Sequence, residues 1–363
     1  MRFLIKNVGI EPAAQEYSFV SKALGNVKRF LPQAKIWFTQ CPEPSEESRF
    51  SKDLLCFFSY QGEFLKPCPG TTEHICCGYQ ILNVGTGCPM DCSYCILQSY
   101  FSEGGLKVFA NIEKGLDIVL RRIDSEPNRI FRVGTGEFTD SLALDPVTGW
   151  AELLIPCFSC RKNAVLELKT KTDNIEGVLH SDCRDRIVIS WSLNSPWIAS
   201  KEEHGAASVR KRLEAARLCQ SEGFAIGFHF DPLIYYTGWK EGYLETLELM
   251  DRLLRPERII WISLGSFRFM PPLKRIIRKR HPHSIVANGE FVPGKDGKMR
   301  YFKPIRVELY HFMMEHLHQW SDDLGLYLCM ESPDVWEESM GWNPGDTEGL
   351  SAYLDRRVHK IFG

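Results

Sequence analysis

The chain has 363 residues, 44% hydrophobic and 25% charged, which suits one large globular domain with an appendage and excludes a disordered or fibrous protein. A formal net charge of -2 excludes a protein that coats nucleic acid by bulk charge, while leaving room for a local basic groove. Thirteen cysteines, an odd number in a long chain, argue against a secreted disulfide framework and for a reducing, cytoplasmic setting.

The opening residues Met1 to Val8 carry charges among the apolar positions and do not read as a leader. No apolar run approaches the length of a membrane span, so no membrane is expected. Residues 1–75 read as an N-terminal α+β extension. It has a helix at Ser18 to Leu31, strands at Lys35 to Phe38 and Leu54 to Phe58, and an exposed loop through Cys41 to Ser48. Cys56, Cys68, Cys76 and Cys77 have irregular spacing, and burial is favoured over a second metal.

Residues 76–270 are more regular. Strand-like runs at Gln80–Val84, Arg129–Val133, Val165–Thr170, Ile187–Leu193, Ala225–Phe230 and Ile259–Leu264 alternate with helical segments. The helices are placed at Ile112 to Ile123, Pro146 to Cys160, Asn174 to His180, Ala206 to Glu222 and Glu241 to Leu254. Such alternation predicts parallel βαβ units, with polar residues at the carboxyl ends of the strands facing one bowl. Those residues are Glu137, Thr139 and Asp140, then Lys171, then Ser190, Ser192 and Asn194, then His229 and Asp231. Cys157 and Cys160 read as core packing. Residues 271–363 form a C-terminal region packed on the barrel. It has a basic helix at Pro271 to Arg280, a cationic hairpin at Glu290 to Phe302, a helix at Pro304 to Trp320, a strand at Leu326 to Met330 and a polar tail.

The chemistry gathers after the first of the six strands, in Gly85-Thr86-Gly87-Cys88-Pro89-Met90-Asp91-Cys92-Ser93-Tyr94-Cys95. A four-iron cluster takes four cysteine thiolates as a rule. Three on one short loop leave an iron open, and an open metal position is where chemistry occurs. A structural zinc site brings its ligands in two separated pairs, and no matching second pair is present.

This loop resembles that of the radical S-adenosylmethionine (SAM) enzymes. Further stretches are similar to the spore photoproduct lyase family: Gly136 to Leu142, Leu168 to Lys171, Trp191 to Asn194, Glu214 to Arg217 and Gly227 to Pro232. The resemblance implies a partial (β/α)6 TIM-like barrel with a [4Fe-4S] cluster on Cys88, Cys92 and Cys95 and bound SAM. It also implies an electron donor such as flavodoxin or ferredoxin. By the same resemblance Tyr94 lies beside the radical site, and Thr139, Lys171, Ser192 and Asn194 belong to the cofactor pocket; Asp231, at the end of the fifth strand, is placed with the cofactor-binding residues. The family's reaction reverses a methylene-bridged thymine dimer in DNA. Its hairpin wedges into DNA; Arg300-Tyr301 is similar to that hairpin's Arg-Tyr pair, and Lys298 adds charge beside it, so Lys298, Arg300 and Tyr301 are the nucleic-acid-binding candidates.

Two positions depart from the lyase pattern. Glu137 stands where the lyase has its hydrogen-donating cysteine, and Ile96 where it has a second relay tyrosine. Glu137 and Asp140 are therefore expected to bind a polar substrate or SAM's ribose hydroxyls, or to cap local turns. Three functional readings stay open: a radical enzyme acting on a DNA or nucleotide lesion, one acting on a small molecule or peptide, and a non-catalytic iron–sulfur protein that binds DNA or senses redox state.

Overall fold

The computed structural model describes residues 3–39, 50–71, 74–101 and 104–363. Its centre is an eight-stranded sheet: β1 (Leu65–Pro67), β2 (Gln80–Leu82), β3 (Phe131–Gly134), β4 (Ala164–Thr170), β5 (Ile187–Ser192), β6 (Ala225–Leu233), β7 (Ile259–Ser266) and β8 (Leu326–Leu328). Spatial order follows chain order from β8 back to β1. Every neighbouring pair is parallel except β1 and β2. The six strands read from sequence are β2 to β7, curled into a half-barrel. The C-terminal strand adds a seventh parallel member.

Alternation of side chains sorts each strand into two faces. On β4, Leu166 and Leu168 share one face, and Glu167, Lys169 and Lys171 follow the other. On β6, Gly227, His229 and Asp231 alternate with Ile226, Phe228 and Phe230, which are buried apolar packing. Register brings the polar faces together: Lys169 lies opposite Ser190, Ser190 opposite Gly227, and His229 opposite Ser263. One network then ties the interior. The Glu167 carboxylate accepts from Trp261 Nε1 at 2.8 Å and Ser190 Oγ at 2.5 Å, and lies 2.8 Å from His229 Nε2. A Cβ at Gly227 would lie 2.3 Å from Ser190 Oγ and 2.8 Å from Trp261 Nε1, so this knot needs glycine there.

The N-terminal residues build a second sheet, with Asn7–Ile10 between Lys35–Trp37 and Leu54–Phe58. Leu106–Phe109 and Gly85–Thr86 complete it, so part of the cysteine loop belongs to this sheet. A boundary at residue 75 therefore divides neither sheet cleanly. The expected helix at Pro146 to Cys160 is two helices, Asp145–Thr148 and Trp150–Ser159, broken at Gly149 with φ +68°. Cys160 is exposed at the end of the second, so it is not core packing. Cys56 is disulfide-bonded rather than simply packed. The expected exposed loop, Cys41 to Ser48, lies outside the described residues.

The polar tail is instead helical over Pro333–Met340 and Thr347–Phe362. Leu350, Leu354 and Val358 form a buried stripe at helical spacing, and Arg357 donates to the carbonyls of Ile259 and Ile260 on β7. Among the described residues, no helix is long and apolar enough to cross a membrane.

Candidate active site

The cysteine loop leaves β2 at its carboxyl end and is held from both sides. Gly85–Thr86 pairs antiparallel with Lys107–Val108, and Asp91–Cys92 pairs antiparallel with Glu203–His204. Gly87 adopts φ +84°, and a Cβ there would lie 2.7 Å from the Gly105 carbonyl, so glycine is required at this turn. Gln98 Nε2 donates to the carbonyls of Cys92 (3.1 Å) and Ser93 (2.8 Å). Arg280 donates to Asp91 at 2.8 Å and to Gln98. The Ser93 hydroxyl donates to Glu202, whose other oxygen accepts from the Ile285 N–H at 3.0 Å.

Backbone and polar side chains are thus engaged while the three thiols are free. Burial pushes all three up, Cys88 to about 12 with Asp140 and Cys95 adding to the effect. Bare buried thiols stay protonated, and metal binding is what draws them to thiolate. Lys52 and Lys171 act on Cys95 in that same direction. Among the described residues no three His, Cys, Asp or Glu side chains close around a single ion. A four-iron cluster instead spreads its thiolates over the corners of a cube, and the soft three-sulfur donor set fits that group.

Around the loop the strand-end residues divide into two kinds. Lys171 makes no ion pair among the described residues, and its ammonium stands 5.9 Å from the Tyr94 ring centroid. Thr139 is buried, and its hydroxyl has no hydrogen-bond partner among the described residues. An orphaned buried hydroxyl and an unpaired ammonium beside the thiols are groups a polar cofactor would satisfy. Tyr94 is buried, with its hydroxyl donating to Glu203. Ser192 is buried at the end of β5.

Other expected site residues are engaged by the fold. Asp140 accepts from the Thr170 hydroxyl (2.7 Å) and from the N–H groups of Leu142, Ala143 and Lys171 at 3.0, 2.8 and 2.8 Å. Its carboxylate is a turn cap that sets the Lys171 backbone. Asn194 accepts from the Tyr243 hydroxyl (2.7 Å) and the Ser195 N–H (3.1 Å), and donates to the Pro232 carbonyl at 2.9 Å. Every polar atom of that side chain has a partner. Burial works against an ionised Asp231, but Arg268 overrides it at 3.0 and 3.2 Å and holds the carboxyl below the usual range. Glu137 remains partly open to the bowl, 3.7 Å from Lys169.

The hairpin forms as Val292–Pro293 and Met299–Arg300, but its marked residues turn inward. Arg300 is buried and grips Asp296 with both terminal nitrogens. Lys298 lies 3.7 Å from the same carboxylate. Tyr301 is buried, stacks on Phe291 at 4.9 Å and accepts the Tyr235 N–H at 3.2 Å. All three stabilise the hairpin itself in this structure.

The profile of the family described as spore photoproduct lyase matches residues 72–318. The chain belongs to the spore photoproduct lyase family. That family is one of radical SAM enzymes. The spore photoproduct lyases of Geobacillus sp. strain Y412MC61 and Bacillus subtilis strain 168 are each 27% identical, over 202 and 201 residues. These matches cover 55% and 54% of this chain and 59% and 58% of the relatives, so they span less than two thirds of those proteins. A solved spore photoproduct lyase double mutant with bound AdoMet and dinucleoside spore photoproduct has a TM-score of 0.79, over 92% of this chain and 100% of that one. The lyase complexed with dinucleoside spore photoproduct gives 0.79 over 90% and 100%. Both are 22% identical, a likeness of fold.

Sequence reasoning within this family placed Ser190 and His229 in the bowl but missed Glu167 and Trp261 of the interior knot, and the supports Glu202, Glu203 and Arg212. A signal existed for Glu167: it alternates with Lys169 and Lys171 on an otherwise apolar strand, a period of two that marks one polar face. Glu203 and Arg212 carry no comparable signal: their pairing joins a strand end to a helix at no regular spacing, and the Tyr94 hydroxyl that completes it comes from 109 residues away.

Proposed function

We propose that the chain is a radical SAM enzyme acting on a pyrimidine-type nucleobase lesion. Cys88, Cys92 and Cys95 would hold a four-iron cluster, which when bound would supply the electron for reductive cleavage of SAM and so the hydrogen-abstracting radical chemistry of the family. Lys171 would pair with the SAM carboxylate, and the Thr139 hydroxyl and Ser192 would complete the polar pocket. Tyr94 closes the loop side of that pocket, where its ring shields the radical from water. The arrangement that carries this reading is the set of free thiols beside an unpaired ammonium and an orphaned hydroxyl at the strand ends. The relatives' bound AdoMet and dinucleoside spore photoproduct favour the substrate class.

Glu137 and Ile96 replace the lyase's thiol donor and second tyrosine on this reading, so the hydrogen returned to product comes from a different group. The Glu137–Lys169 pair in the bowl favours a second reading, a radical enzyme on a small polar molecule or peptide. An anaerobic assay with dithionite, SAM and dinucleoside spore photoproduct separates them. Thymidylyl-thymidine with 5'-deoxyadenosine supports the lesion, and 5'-deoxyadenosine alone supports the second reading.

A further inference from the structure

Glu203 and Arg212 form an ion pair whose side chains are both fully buried. Removing two charges from water is costly, and well-packed apolar residues often replace such a pair without loss of stability. The placement of this pair is therefore informative. One Glu203 oxygen accepts from the Tyr94 hydroxyl and the other meets the Arg212 guanidinium. The Glu203 backbone lies directly opposite Cys92 in the antiparallel pairing. Arg212 reaches on from the helix Val209–Ser221, donating to the Ser192 carbonyl at 2.9 Å and the Ala207 carbonyl at 2.8 Å. The Ala207 N–H in turn donates to the Lys171 carbonyl at 3.0 Å. A continuous polar path thus runs from the middle cysteine of the loop to Ser192 and Lys171.

We infer that Glu203 and Arg212 are positioning residues: their buried ion pair is a strut that fixes the cysteine loop relative to the SAM pocket and sets the charge felt by the cluster. This rests on the reading of the site given above. A cofactor held between the cysteine loop and the strand ends would need that spacing kept, and supporting residues behind metal ligands act in this way elsewhere. The strut also places one negative and one positive group beside Cys92, so removing either alone leaves an uncompensated charge next to the cluster.

The test is a redox titration of the reconstituted full-length protein, followed by electron paramagnetic resonance, with SAM affinity measured in parallel. E203Q leaves Arg212 unbalanced and moves the cluster midpoint to a more positive potential. R212Q leaves Glu203 unbalanced and moves it to a more negative one. The double variant E203Q/R212Q restores neutrality, returns the potential close to the parent's and still binds SAM about tenfold more weakly, because the strut is gone. A merely structural pair would shift both single variants in the same direction. Should the single variants fail to fold, the double variant, which buries no charge, carries the test through its SAM affinity. Single variants that shift together or not at all, or a double variant that binds SAM like the parent, overturn the inference. A parent protein that assembles no cluster or binds no SAM overturns the reading beneath it, and the inference with it.

Discussion

The cysteine loop and the C-terminal hairpin invite comparison, because each joins an aromatic residue to charged ones in a short run. Around the loop, the polar side chains hold backbone, and the groups with chemical capacity are left unengaged: three thiols, the Lys171 ammonium and the Thr139 hydroxyl. In the hairpin the reverse holds. Arg300 grips Asp296, and Tyr301 is stacked and hydrogen-bonded within the protein. A residue type at a suggestive spacing marks a site only where the fold has not already used its hydrogen bonds. Asn194 and Asp140 make the same point inside the bowl, since each side-chain oxygen and nitrogen of both has a partner.

Substitutions sharpen this contrast, beginning with the largest effect. Cys88→Ala abolishes the visible absorption of the anaerobically reconstituted cluster, and an unchanged spectrum removes Cys88 as a ligand. Arg300→Ala removes the two-pronged partner of Asp296, leaving it the Lys298 ammonium at 3.7 Å and the Lys298 N–H, and costs on the order of 2 kcal/mol of stability, read from urea unfolding. SAM affinity stays at the parental level, and a fall in it would show that the hairpin reaches the cofactor.

The interior knot yields a pH prediction. Burial works to raise Glu167, but His229 and Ser190 override it and hold the carboxyl down to about 2, below its ordinary 4.5. The stabilisation is complete above about pH 4.5 and is lost as pH falls from there toward 2, on the order of 3 kcal/mol. In Glu167→Gln the stability of the metal-free protein loses this acid-side slope, and a slope identical to the parent's contradicts the assignment. The smallest effect is at Lys171→Ala. Loss of one charge-assisted contact weakens SAM binding about tenfold, or about 1.4 kcal/mol, with the fold intact by circular dichroism.

Much of this architecture is legible in the sequence, because its signals are local. The cluster loop concentrates its chemistry in eight residues, Cys88 to Cys95, and the six strands β2 to β7 are apolar runs separated by helical patterns. Strand-end polar residues follow from the α/β rule, which locates them without showing which are engaged. Tyr243 takes the Asn194 side chain across 49 residues, and Arg268 takes Asp231 across 37. Such pairings depend on tertiary structure and leave no periodic trace. The C-terminal helix was obscured for a different reason: its stripe of Leu350, Leu354 and Val358 is diluted among charged residues.

The most direct test of the central claim is reductive SAM cleavage by the anaerobically reconstituted protein, with dithionite as reductant and dinucleoside spore photoproduct present. The account predicts 5'-deoxyadenosine from the parent and none from Cys88→Ala. A parent protein with a fully loaded, reduced cluster that yields no 5'-deoxyadenosine would contradict it.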